Sequence, residues 1–244
     1  MKFLLLWLEA PLQSWGYDSR FDTRKTFDFP TKSGIYGLLL ASSGDSGPQC
    51  ELLERMKDAF FLAVSFIPQD SDSQKPEEYQ LRDYHMVGSG YDKDDKWESF
   101  HIPRKQGGGI ATGSGSSYGG TKQTYRYYLQ NKKFAVILGF EDDLAEKFAA
   151  SLKAPVFDLY LGRKCCVPTW PIFQNVFDSK EEAWTAMEKL AEGKNLKPDK
   201  KLMEVDQANA GSLHENVFFL SDVPLEFGLT KRYTDRCVQI VKCE

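Results

Sequence analysis

Continuous apolar runs alternate with shorter periodic ones along this chain. Residues 3–9, opening Phe3-Leu4-Leu5-Leu6-Trp7-Leu8, and Phe134-Ala135-Val136-Ile137-Leu138-Gly139-Phe140 read as buried strands. Ala59 to Ile67 is equally apolar, rich in aromatic and branched residues, and stopped by Pro68. Ile35, Leu38, Leu39 and Ala41 fall on one helical face, with Thr31 or Ser33 as the N-cap. Leu144, Phe148 and Leu152 mark a helix from Asp142 to Leu152. Ala183, Trp184, Met187, Leu190 and Ala191 mark another from Lys180 to Glu192. A short helix is expected from Glu51 to Asp58. Arg24 to Phe29 alternates polar and apolar like an exposed strand ended by Pro30. Further strands are expected at Tyr79–Val87, Thr121–Leu129, Val217–Leu220 and Val238–Val241.

Between these elements Ala10 to Gly16 reads as a turn or loop, and Leu159 to Cys166 as a compact loop before Pro168. Residues 88–120 carry no packing signal. Seven of the 14 positions in 107–120 are glycine, a stretch that cannot offset its ordering entropy alone. No internal repeat is present. The first 150 residues run strand, helix, strand, strand, insertion, strand, helix. That order fits an α+β, ferredoxin-like antiparallel sheet with a long inserted finger, followed by a smaller C-terminal α/β appendage.

Composition narrows the function classes. The 244 residues are 41% hydrophobic and 27% charged, which excludes a largely disordered chain. The net charge of −4 excludes a globally basic nucleic-acid binder but not a locally basic one. The first apolar run is broken by Glu9. It is too short for a signal segment with a cleavage site, and too short to span a bilayer. Cys50, Cys165, Cys166, Cys237 and Cys243 form neither a metal spacing nor a disulfide framework, so a reducing, cytoplasmic compartment is expected.

Four constellations carry candidate chemistry. Thr31-Lys32-Ser33-Gly34 at a helix start could hold a phosphate, or could be a cap with a solvated lysine. His85, beside Tyr84, could act in acid-base chemistry, or could be structural or stack on a base. Residues 80–133 hold nine cations and five acids, net +4, interleaved with Tyr84, Tyr91, Trp97, Tyr118, Tyr125, Tyr127 and Tyr128. Cations for phosphates and flat rings for bases suit a single-strand binder, and the plain alternative is a solvated hairpin face. Gly162-Arg163-Lys164 is a tight turn with two cations, able to approach a phosphate closely or merely basic.

Several segments together resemble the fifth Cas family in its type I-E form, the CasD subunits of the CRISPR surveillance complex Cascade. They are Ala10–Gly16, Phe29–Leu39, Leu81–His85, Thr121–Leu129 and Tyr160–Cys165, in that order, with weaker likeness to Phe227-Gly228 and Arg232–Arg236. The resemblance implies a RAMP-type domain over 1–155, with a thumb inserted at about 86–130, and a C-terminal subdomain over 156–244. It implies a non-catalytic subunit that caps the 5′ handle of the crRNA beside a CasC-type backbone subunit and a CasA-type large subunit, and meets target DNA through the complex. No cofactor, metal or membrane is implied. By position, Gln13, Ser14, Trp15 and Gly16, Lys32 and Ser33, and Gly162, Arg163 and Lys164 would cradle the handle, with Arg24 beside them. Arg82, His85, Lys122, Tyr125 and Arg126 would flank the thumb, and Arg104 and Lys105 would reach RNA from within it. Residues 180–212 match poorly and receive no site. The type I-C branch of the same family, a metal-independent endoribonuclease, is the main rival, although no lysine adjoins a histidine here. A stand-alone RNA-binding RAMP protein is the other.

Overall fold

The computed structural model describes residues 1–17, 19, 22–70, 80–87, 122–206 and 216–243. The strands are β1 (Lys2–Glu9), β2 (Leu12–Gln13), β3 (Thr23–Arg24), β4 (Phe60–Pro68), β5 (Gln80–Val87), β6 (Lys122–Gln130), β7 (Lys133–Phe140), β8 (Phe173–Phe177), β9 (Leu196–Glu204), β10 (Val217–Glu226) and β11 (Arg232–Lys242). The helices among the described residues are α1 (Lys32–Ser43), α2 (Cys50–Met56), α3 (Asp142–Lys153) and α4 (Lys180–Gly193). Seven strands form an antiparallel sheet in the order β10-β11-β9-β4-β7-β1-β8. A second, smaller sheet is built on β6, flanked by β5 on one side and by β2 and β3 on the other.

The continuous apolar strands are explained by helices on both faces of the large sheet. In β1, Leu4, Leu6 and Leu8 join the core under α1 and α3, where Ile35, Leu39, Leu144 and Phe148 are buried. Leu5 and Trp7 point the other way, into a second core with Ala183, Met187 and Ala191 of α4. Every β1 side chain from Leu4 to Leu8 is therefore buried, and no polar position survives. Glu9 ends the run because it has partners. The Trp7 indole and the Lys194 ammonium each donate to its carboxylate at 2.8 Å. Burial pushes that carboxyl up, but the hydrogen bonds from Lys194 and Trp7 outweigh it and hold it below its usual range.

Three expectations need correction. Arg24–Phe29 is not an exposed strand: only Thr23–Arg24 pairs in β3, Phe27 makes a single bridge to Trp15, and Phe29 is buried. Ala10–Gly16 contains a two-residue strand, β2, paired to β6. The sequence reading omitted β8 and β9. In β9 the run Lys197-Pro198-Asp199-Lys200-Lys201 hides the strand, yet it pairs with β4 on one side and β11 on the other. Strands from the last third of the chain thus extend both edges of the one sheet, and the expected smaller C-terminal α/β appendage is an integral part of it.

A buried ion network joins β9, β10 and β11 to the start of α1. The Lys32 amide donates to Asp222 Oδ2 at 2.6 Å, so a carboxylate sits where the helix N-terminus attracts an anion. Arg236 grips the same carboxylate with two bonds of 2.7 Å and reaches Glu204 at 2.8 Å. Lys32 Nζ donates to Glu204 at 3.0 Å and to the carbonyls of Lys57 at 2.7 Å and Ala59 at 3.2 Å. Burial holds the Lys32 ammonium below its ordinary range, and Glu204 opposes that shift. Removing one member of a buried set strands the rest. Lys32→Met is expected to cost about 3 kcal/mol, seen as a lower urea midpoint at unchanged slope. A midpoint equal to wild type would show that the network carries no net stability.

Candidate nucleic-acid interface

The turn at Gly162–Lys164 is built against the loop at Gln13–Trp15. Gly162 has φ +99°, and a Cβ added there would lie 1.8 Å from the Ser14 carbonyl oxygen. Only glycine satisfies both constraints. The Ser14 amide donates to the Leu161 carbonyl at 3.1 Å. Leu161 N donates to Cys166 O, and Cys166 N to Arg163 O, both at 2.8 Å, which closes the turn.

Arg163 locks this turn to the small sheet. Its Nη1 donates to the Tyr127 carbonyl at 3.2 Å and its Nη2 to the Arg24 carbonyl at 3.0 Å. Its guanidinium carbon stands 4.6 Å from the centre of the Tyr128 ring. Tyr128 is buried and accepts a bond from the Cys165 thiol. Burial pushes the Tyr128 phenol up, and pushes the adjacent Cys166 thiol up to about 11, so both stay neutral near pH 7.

Trp15 forms the centre of the assembly. Its amide donates to Thr26 Oγ1 at 2.8 Å, its carbonyl accepts from the Phe27 amide at 2.6 Å, and its indole donates to Gln13 Oε1 at 3.2 Å. Its ring lies against Gly34 of α1, where an added Cβ would come within 2.9 Å. Gln13 spends its amide on the Leu8 carbonyl at 3.2 Å and the Lys132 carbonyl at 2.7 Å. The α1 start meets this indole, β6 pairs with Gln13 and the basic turn seats on Ser14, so segments far apart in sequence meet along one loop.

The sequence-predicted residues sort into three groups. Gln13, Ser14 and Trp15 are buried and build the loop from within. Lys32 needs correction: it is 1% exposed, and three hydrogen bonds occupy its ammonium, so its side chain does not face a phosphate. Ser33, beside it, is half-buried and points to Thr31 Oγ1 at 3.5 Å. Gly16, Gly162 and Lys164 are exposed, and Arg24, Arg126 and Arg163 are half-buried.

Around the small sheet, Arg82 is exposed, with its guanidinium carbon 5.3 Å from the centre of the half-buried Tyr125 ring. His85 is half-buried and hydrogen-bonded through Nε2 to Asp83. Lys122 pairs with Val87 in the strand register. Arg104 and Lys105 lie outside the described residues. No group of three or more metal-ligating side chains occurs among the described residues. No described helix is long and apolar enough to cross a membrane. The sequence reading missed Asp222. Its signal was a lone acid inside the apolar run Val217 to Leu225.

Comparison with known proteins adds an independent line. The chain matches the family described as CRISPR-associated protein (Cas_Cas5) over residues 3–226. It is 31% identical over 180 residues to the CRISPR system Cascade subunit CasD of Escherichia coli (strain K12), covering 70% of this chain and 69% of that one. It superposes on a chain of a solved CRISPR RNA-guided surveillance complex with a TM-score of 0.70 at 24% identity, covering 98% of this chain and 89% of that one. A crystal structure of a Cas protein matches with a TM-score of 0.57, also at 24% identity, over 98% of this chain and 94% of that one. These two structural likenesses speak to the fold.

The Gly162 contact yields a direct test of the assembly. Gly162→Ala must relieve both a left-handed φ and a backbone clash, so a loss of at least about 2 kcal/mol is expected. Gly16→Ala, with open space around its Cβ and no positive φ, is the matched control and is expected to stay within about 1 kcal/mol of wild type. Equal thermal midpoints for the two variants would refute the docked geometry.

Proposed function

The chain belongs to the CRISPR-associated Cas5 family, and from that premise we propose that it is the crRNA-binding subunit of a Cascade-type surveillance complex. Its task is to cap the 5′ handle of the crRNA beside a CasC-type backbone subunit and a CasA-type large subunit, and it meets target DNA only through that assembly. The working division is a ferredoxin-like RAMP domain over 1–155, with a thumb at about 86–130, and a C-terminal part over 156–244 that brings the handle-binding turn and shares the large sheet through its strands. The compartment is the cytoplasm.

The observation that carries this reading is the seating of the Gly162–Lys164 turn on the Gln13–Trp15 loop. Gly16 and Gly162 put bare backbone at the surface, and Lys164 places an exposed cation next to it. A phosphate chain can approach such a surface closely, and the contact reads charge rather than base identity. Arg163 has five N–H donors, of which the Tyr127 and Arg24 carbonyls take two. It therefore positions the turn and keeps donors for a phosphate.

Salt-series binding of two handle RNAs of different sequence tests the reading. Lys164→Ala is expected to weaken both equally and to shrink the slope of log K against log salt by about 0.7, with no change in thermal midpoint. Arg163→Ala is expected to lower affinity and thermal midpoint together. Arg163→Lys is expected to restore only part of either, because an ammonium lacks the fork. An unchanged slope in Lys164→Ala, or a loss confined to one handle, counts against the site.

The Asp83–His85 hydrogen bond favours one second reading, a metal-independent endoribonuclease. A carboxylate that orients an imidazole is the usual arrangement of a general base. Across the ladder from His85, Thr124 keeps a buried hydroxyl with no hydrogen-bond partner among the described residues. We nonetheless hold the subunit to be non-catalytic, because no lysine adjoins the histidine. Incubating the full chain with its repeat RNA, with and without EDTA, is expected to give no specific cut. Cleavage that His85→Ala abolishes would promote the nuclease.

A further inference from the structure

The register of β5 and β6 divides their side chains between two faces. Arg82 lies opposite Tyr127, Tyr84 opposite Tyr125, and Met86 opposite Gln123. Leu81, Asp83 and His85 lie opposite Tyr128, Arg126 and Thr124, and therefore project to the other side. On that second face Tyr128 and Thr124 of β6 are buried, Asp83, His85 and Arg126 are half-buried, and only Leu81 is exposed. On the first face Arg82, Tyr84, Met86 and Gln123 are all exposed.

Tyr84 stands out on this outer face. Its ring centre is 5.4 Å from that of Tyr125 with the planes tilted at 44°, and Arg82 stands over the same Tyr125 ring at 5.3 Å. Yet Tyr84 itself remains 48% exposed. A cross-strand aromatic pair supports a hairpin, but for that purpose alone neither an exposed ring nor a neighbouring guanidinium is needed. Tyrosine, methionine and arginine are also enriched at protein interfaces, and a contact of that kind would be indifferent to the loss of an RNA base.

We propose that Tyr84 is a stacking platform for one unpaired base of single-stranded RNA, with Tyr125 bracing the ring from behind and Arg82 beside it for the adjoining phosphate. The proposal rests on the RNA-binding reading above and adds a residue and a base contact to it. Every base has a π-face, so the contact is tolerant of sequence and sensitive to loss of the base. It complements the Lys164 surface, which reads charge.

Abasic scanning tests the proposal on the full chain. A handle RNA of mixed sequence, whose end fixes its register, is compared with a set in which each position in turn lacks its base. Wild type is expected to lose affinity on the order of 10-fold at one position. Tyr84→Ala is expected to lose a similar factor on the intact oligonucleotide, and that position then matters no further. Tyr84→Phe should behave as wild type, and Tyr84→Leu, which keeps bulk in the hairpin, should behave as alanine. A flat abasic profile with binding intact overturns the stacking role and leaves RNA binding standing. A weaker Tyr84→Ala that still shows the wild-type abasic loss also overturns it, since the ring then acts through the hairpin or a protein contact. A wild type that binds no RNA overturns the functional reading, and this proposal with it.

Discussion

A carboxylate at a helix start organises much of this molecule. Asp222 lies on β10, at the outer edge of the large sheet, yet it accepts the first amide of α1 and two bonds from Arg236 of β11. Desolvating a carboxylate is expensive, and the cost is recovered only when every lone pair finds a donor. Here the donors, Lys32 and Arg236, come from a helix and a strand about 200 residues apart, so β10 packs against the start of α1. Glu204 and Lys32 extend the constraint to β9 and to the carbonyls that follow α2. The position of α1 then fixes that of Trp15, whose ring has room only because residue 34 lacks a side chain.

From Trp15 the constraint passes to the proposed RNA surface. The loop that carries this indole presents the Ser14 carbonyl to Gly162 and the Ser14 amide to Leu161. The basic turn is therefore held by backbone contacts, and Arg163 secures its outer side on Tyr127, Tyr128 and Arg24. The groups that support this surface, Gln13 and Trp15 among them, are buried and already paired. The β5–β6 pair continues from the same core: Tyr128 faces Arg163, and three residues closer to the insertion the alternate face presents Tyr125. The basic turn and the ring-bearing hairpin are thus two surfaces of one packed unit.

Much of the fold was legible because burial on two faces leaves a clear record. β1, β4 and β7 are nearly unbroken apolar runs, and α1, α3 and α4 show the helical period, α1 with the Thr31 cap that its sequence suggests. β9 was illegible because its pattern is interrupted by Pro198 and by lysines. Lys201 lies over the Trp184 ring, so an apparently polar position packs on an aromatic surface. β3 is a parallel pairing of only two residues, below what periodicity can resolve. The candidate site was legible as a set of segments, since the loop, the helix start, β6 and the turn do converge. The roles within it were less so. Gln13 and Trp15 are polar or amphipathic residues in a turn, and their donors end in the interior.

Lys32 shows why a cation at a helix start is ambiguous in sequence. The helix N-terminus favours an anion but does not say whose. An external phosphate and an internal carboxylate satisfy the same amide. The discriminating sign lies far away, in an acid placed where the strand pattern demands an apolar residue. Asp222 between Leu220 and Val223 is such a residue, and Arg236 before Cys237-Val238 is its counterpart on the next strand. A buried acid must have partners, and a basic residue out of pattern on a neighbouring strand supplies only part of them. The unpaired remainder points to a free helix end. Counting charges in a segment therefore overstates what RNA can meet, because some cations are already committed to the protein's own carboxylates. Lys164, which flanks a glycine turn and remains exposed, is the kind of cation that such a count should retain.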